Sequence, residues 1–188
     1  MFLKIPEEFV IYLKSTRTSQ NDPSYLFELA HYEWVEHALD IANEKIDFKK
    51  INTKGDLLSG IPVISPLAQL LSYRYPVHEI NVNNIPNAPS IAPHYLIAYR
   101  NTADDVGFLQ VNLMTARLVE LLDQCKGLTG KQALIQISAE INHPDPTQII
   151  KAGLKTLQTL QKNDILLGTK KISVTTCTPF VSSTAVTN

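Results

Sequence analysis

The stretch YLIAYRNTADDVGFLQV, residues 95–111, decides the fold. Two runs of aliphatic and aromatic residues, Tyr95–Arg100 and Val106–Val111, flank Asn101-Thr102-Ala103-Asp104-Asp105. Short apolar runs bounded by turn-forming Asn and Asp read as a β-hairpin with a five-residue loop. Helical punctuation follows. Ala116, Leu118, Val119, Leu121 and Leu122 predict a helix over 113–124, and Gly127 ends the region. Thr129 with Gln132 three residues on has the form of a capping box, opening a second helix through Ala133, Leu134, Ile137 and Ile141. Asp145-Pro146 opens a third, to about Asn163. The Asp carboxylate can accept from orphan N–H groups, and a proline at the first helical position has none to leave unpaired. Ile165–Gly168 closes as a short strand. A hairpin, three helices and a short strand make the layout of a winged helix-turn-helix domain, predicted here for residues 94–170.

Upstream, Phe9, Val10 and Leu13 recur at helical spacing between Pro6 and Lys14. Asn21-Asp22-Pro23 is a helix start, and the stripe Leu26, Leu29, Ala30, Trp34, Ala38, Ile41 predicts a helix to about Asn43 that buries those residues. Residues 45–60 are polar and turn-rich. Pro66–Leu71 predicts a helix that must stop before Pro76, and Val77–Val82 a strand with His78, Ile80 and Val82 on one face. Pro86, Pro89 and Pro93 make residues 83–93 a semi-rigid connector. The predicted class is therefore α+β. Residues 1–82 form a helical segment with a terminal strand, 83–93 a linker, 94–170 a small winged-helix-like domain of a β-hairpin plus three helices, and 171–188 a disordered Ser/Thr-rich tail.

Composition sets limits on function. The 188 residues carry 17 Lys+Arg against 18 Asp+Glu, with 44% hydrophobic residues, enough for a real core. A net charge of −1 argues against a polyanion binder that relies on bulk charge, while leaving room for a local basic face. Cys125 and Cys177 share no spacing with a metal or redox partner, which predicts neither a disulfide scaffold nor a zinc module and points to a reducing cytoplasm. No apolar run approaches the roughly 20 residues needed to cross a bilayer.

Three groups of residues invite a chemical reading. His31 and His37 lie on one predicted helix six residues apart, so they point to different faces, whereas a helical metal pair wants a spacing of four. No metal is expected there. Tyr73, Arg74, Tyr75 and His78 gather two aromatics, a cation and an imidazole at one turn, the residue types that carry interface energy. They are candidates for contact with a partner protein. On the third helix of the second half, Lys151, Lys155 and Lys162 fall within about 40° of each other on a face opposite Ile149, Ile150, Leu154, Leu157 and Leu160. With Arg100 they are the candidates for meeting an acidic peptide or DNA phosphates. The chain has no phosphate-binding glycine loop, nucleophile elbow or Cys-x-x-Cys pair, so no enzyme activity and no cofactor are expected.

The segments IPEEFVIYL, LFELAHYEWVEHALDI, PVISPLAQLLSYRYPVHEI, APHYLIAYR, FLQVNLMTARLVELL and HPDPTQIIKAGLKTLQTLQKNDILLG resemble, in this order, the HvfC/BufC-type family. The resemblance spans about residues 2–168. It implies a non-catalytic partner of multinuclear non-haem iron-dependent oxidative enzymes, which modify cysteines of ribosomally made peptides. VNLMTARLVELL leading into three helices and NDILLG resembles the PqqD-type peptide-recognition element, itself a small winged helix. Family members carry a helical N-terminal domain ahead of the IPEEF segment, to which DNA binding is ascribed. Here Met1 sits almost directly on that segment, which implies that most of that domain is missing. The expectation is that a precursor peptide adds as a strand to the edge of the small sheet. A transcriptional regulator that places the winged helix on DNA is the second reading.

Overall fold

The computed structural model describes residues 5–15 and 22–171. In chain order the elements are α1 (Ile5–Ser15), α2 (Leu26–Asp40), β1 (Ile51–Asn52), β2 (Pro62–Ile64), β3 (Ala68–Tyr73), β4 (His94–Arg100), β5 (Val106–Val111), α3 (Leu113–Gln124), α4 (Gly130–Glu140), α5 (Pro146–Lys162) and β6 (Leu166–Lys170). The class is α+β, built on two antiparallel three-stranded sheets ordered β3-β4-β5 and β1-β6-β2.

The hairpin forms as its sequence requires, with Tyr95 opposite Val111 and Arg100 opposite Val106. It takes a third strand from upstream: β3 pairs with β4 from Ala68↔Tyr99 to Tyr73↔His94. The proline-rich residues 83–93 thus connect two neighbouring strands of one sheet. Because side chains alternate across a strand, that sheet has two buried faces. Leu71, Tyr73, Leu96, Ala98 and Phe108 meet α2, whereas Leu70, Ile97, Leu109 and Val111 meet the core of α3, α4 and α5. Ile97 and Ala98 lose all their exposed surface and Leu96 nearly all. Burying a Leu or Ile this fully is worth roughly 1.5–3 kcal/mol.

Two expected elements are corrected by this architecture. Residues 66–71 are not a helix; Ala68–Tyr73 is strand β3. A short apolar run such as Leu67-Ala68-Gln69-Leu70-Leu71 satisfies either period when both faces are covered, and here pairing with β4 decides. Residues 77–82 are not a strand. Val77–Glu79 is a single 3₁₀ turn in which Val77, off the expected face, is the buried residue, while Val82 is 91% exposed. The Asn81 side chain donates to the Glu79 carbonyl and accepts from Asn83 N–H, offering the backbone local partners in place of a ladder.

Helix signals in the second half match the structure closely. Thr129 and Gln132 complete both halves of the capping box, and the Asp145 carboxylate accepts from Thr147 N–H at 2.9 Å with Pro146 opening α5. Near Asp22-Pro23 the chain makes one turn before α2 begins at Leu26, whose N–H donates to the Pro23 carbonyl. Within α2 the buried residues are Val35 and Leu39, and Ile41 of the expected stripe is 38% exposed. The helix lies between the sheet and α1, so it has two contact sides rather than one apolar stripe. β6 joins β1 and β2 and leaves the hairpin's sheet, pairing Ile51↔Lys170 and Val63↔Gly168. No helix among the described residues is long and apolar enough to cross a membrane. The expected tail, apart from Lys171, and Asn21 of the expected helix start lie outside the described residues.

Candidate functional site

In an antiparallel pair, successive residues direct their N–H and C=O groups to alternate sides of the strand. At the mouth of the hairpin, Asn101 N–H donates to the Asp105 carbonyl at 2.9 Å. Carrying that period along β5 turns Gly107, Leu109 and Val111 toward β4 and leaves the main-chain groups of Val106, Phe108 and Gln110 on the side away from it. Among the described residues β5 is an edge strand, and no further strand pairs on that side. A six-residue edge of this kind is a template for pairing with an extended chain.

Helix α5 is held beside this hairpin. Tyr99 Oη donates to Asn163 Oδ1 at 3.0 Å, and Thr102 N–H and Oγ1 both donate to Asp164 Oδ2, at 2.9 and 2.7 Å. Where β5 runs into α3, an apolar cleft of about 230 Å³ opens between α3 and α5, lined by Met114, Leu118, Ile137, Ile149, Gly153 and Thr156. Gly153 is needed there because a Cβ would overlap the Leu134 side chain. Ile149 and Thr156, seven residues apart, share one stripe of α5, and the C-cap residue Asn163 continues it. Lys155 and Lys162 each precede a member of that stripe, so they stand about 100° round the helix from it; both are exposed, as is Lys151. The opposite edge, β3, differs in charge: the cleft beside it carries the carboxylates of Glu120 and Asp123.

Arg100 has other work than that expected of it. Its Nη1 and Nη2 donate to the carbonyls of Asp40 and Ala42, each at 2.8 Å, and its side chain is only 12% exposed. It closes the C-terminal end of α2, where unsatisfied carbonyls concentrate negative charge. Its guanidinium is therefore not available to a ligand.

Among Tyr73, Arg74, Tyr75 and His78, Arg74 presents its side chain to solvent while Tyr73 and Tyr75 lie in the core. Tyr73 Oη lies 2.9 Å from His31 Nδ1, and the two rings meet edge to face. Tyr75 N–H donates to Glu28 Oε2 at 2.9 Å. His78 is half-buried beside His94, and its Nε2 lies 3.4 Å from a Glu79 carboxylate oxygen. His31 joins an aromatic group with Trp34 and Tyr73. Among the described residues no three His, Cys, Asp or Glu side chains converge as metal ligands.

Burial, and then the nearby Lys14 ammonium, push the His31 pKa below its ordinary value of 6.5, with Glu28 opposing them. Protonation is thus disfavoured in the folded chain, and the unfolded chain takes up the proton first. Stability is complete above the ordinary value and falls as pH drops from there through the lowered value. The thermal midpoint should decline between pH 7.5 and 5.5, and His31→Asn should flatten that decline; equal slopes in variant and parent would contradict the assignment.

Residues 65–161, a little over half of the chain, match the family model described as HvfC C-terminal domain. The match begins just before β3 and ends in α5, so it takes in the whole β3-β4-β5 sheet. No curated protein matches the chain.

Proposed function

We propose, on the premise that the chain belongs to the HvfC family through this C-terminal domain, that it is a non-catalytic cytoplasmic partner protein. It presents a ribosomally made precursor peptide to an iron-dependent oxidative enzyme. The observation that carries this reading is the open edge of β5, with its unshared main-chain groups, next to an apolar cleft between α3 and α5.

A peptide laid along β5 would exchange backbone hydrogen bonds with Val106, Phe108 and Gln110. Such bonds give affinity without reading sequence, and specificity comes from the side chains that alternate into neighbouring pockets. One apolar side chain of the peptide would enter the cleft near Met114 and Ile149, while Lys155 and Lys162 would favour carboxylates on the same segment. The β3 edge would disfavour an acidic peptide chiefly through Asp123, since Glu120 is paired with Arg117 at 2.7 Å, and this helps to select between the two edges. The enzyme would contact a different surface, for which Arg74 is the exposed member of the expected group.

Titrating a Cys-bearing precursor peptide drawn from a gene cluster that encodes an iron-dependent oxidative enzyme should show saturable binding. In Gln110→Pro, which removes one outward N–H and leaves the β4 ladder intact, affinity should fall at least tenfold. Unchanged affinity would overturn strand addition at β5. Duplex DNA bound tightly, with a steep salt dependence that Lys151→Ala/Lys155→Ala/Lys162→Ala abolishes, would favour the regulator instead.

A further inference from the structure

We propose that a second site, on the β1-β6-β2 sheet, binds an acidic and aliphatic segment of a partner protein. A cleft of about 510 Å³ has an apolar floor of Ile46, Ile51, Val63 and Leu167 and is rimmed by Lys45, Lys50, Lys170 and Lys171. Two separate stretches of chain, residues 45–50 and 170–171, bring these lysines together. Ile51 pairs with Lys170, and one step further Lys171 N–H donates to the Lys50 carbonyl at 2.9 Å. Lys50 and Lys171 therefore stand opposite each other across the ladder, an arrangement of like charges that weakens a sheet.

Little in the fold compensates for this. One carboxylate, Asp47, lines the cleft, 3.3 Å from Lys50, and with the two side chains 50% and 85% exposed such a pair contributes little. Among the described residues that line the cleft, four lysines thus stand against one aspartate in a chain whose net charge is −1. The complementary ligand carries carboxylates on either side of an apolar group that covers the floor. A nucleic-acid backbone offers the anions without an aliphatic group, so charge alone does not favour it here. The open shape suits one or two side chains of an extended peptide better than an enclosed small molecule. The site is separate from the β5 edge and does not depend on strand addition there.

The test uses the full chain and a fluorescein-labelled peptide, DEIDLED, read by fluorescence anisotropy. Binding should weaken as salt rises, fall at least tenfold in Lys50→Glu/Lys171→Glu, and survive in Lys151→Glu/Lys155→Glu/Lys162→Glu. The control peptide DESDSED should bind at least tenfold more weakly than DEIDLED. Lys50→Gln/Lys171→Gln, a milder change at exposed positions, should reproduce the loss in part with an unchanged melting temperature. Failure to bind, undiminished binding by Lys50→Glu/Lys171→Glu, equal binding of the two peptides, or tighter binding of a DNA duplex through the same lysines would each overturn the proposal.

Discussion

Replacing Gly168 by alanine is expected to destabilise the chain by about 3 kcal/mol, measured as a shift of the urea midpoint at unchanged slope. Gly168 sits at φ 133°, a backbone conformation that side-chain-bearing residues rarely adopt, and this alone costs roughly 1–2 kcal/mol. The space is also taken. A Cβ here would overlap the Asn52 carbonyl and lie 2.8 Å from Thr53 Cα. Both obstacles are backbone, so relief requires β1 to move off β6, and overpacking of this sort adds roughly 1–3 kcal/mol. Because the first carbon causes the clash, Gly168→Val should cost little more than Gly168→Ala. A cost under about 1 kcal/mol for alanine would show that β1 is not held against β6 as described.

Arg100→Ala is the second large effect. Two charge-assisted hydrogen bonds to the end of α2 are lost, each with a net worth of roughly 1.5–3 kcal/mol, so a loss of about 3 kcal/mol is expected. Lysine should not restore it, because a single ammonium lacks the planar fork that reaches both carbonyls. Precursor-peptide affinity in the folded variant should stay within about twofold of the parent, which separates a helix-capping arginine from one that touches ligand. Substantial weakening of peptide binding with unchanged stability would reverse the assignment.

These two residues also mark what the sequence could and could not convey. The hairpin, α3, α4 and α5 are legible because each is signalled locally: alternation between turn residues, a capping box at Thr129, an N-cap and proline at Asp145-Pro146. β3 has the local pattern of a helix because its strand character depends on β4, which follows it only after the intervening residues 74–93. β1 and β2, of two and three residues, are too short to carry any periodicity and exist through pairing with β6. Arg100 was legible as a cation at a strand end, but not its use, since its acceptors lie 60 and 58 residues upstream. Tyr73 and Tyr75 follow the same logic: their position in β3 and the following turn, rather than their type, places them in the core. The lysines of α5 were legible because a helix face is a local property. Val106, Phe108 and Gln110 were within reach of sequence reasoning, because the hairpin period alone fixes which main-chain groups turn outward. What it could not supply is that the third strand joins at β4's other side and leaves β5 as an edge.

Strand addition at β5 is tested most directly by amide hydrogen exchange of the full chain with and without the precursor peptide. Bound peptide should slow exchange at Phe108 and Gln110 by at least tenfold, with little change at Leu70 and Ser72 on the β3 edge. Saturating peptide that leaves Phe108 and Gln110 exchanging as fast as in the free chain, or that protects the β3 edge in their place, would contradict it.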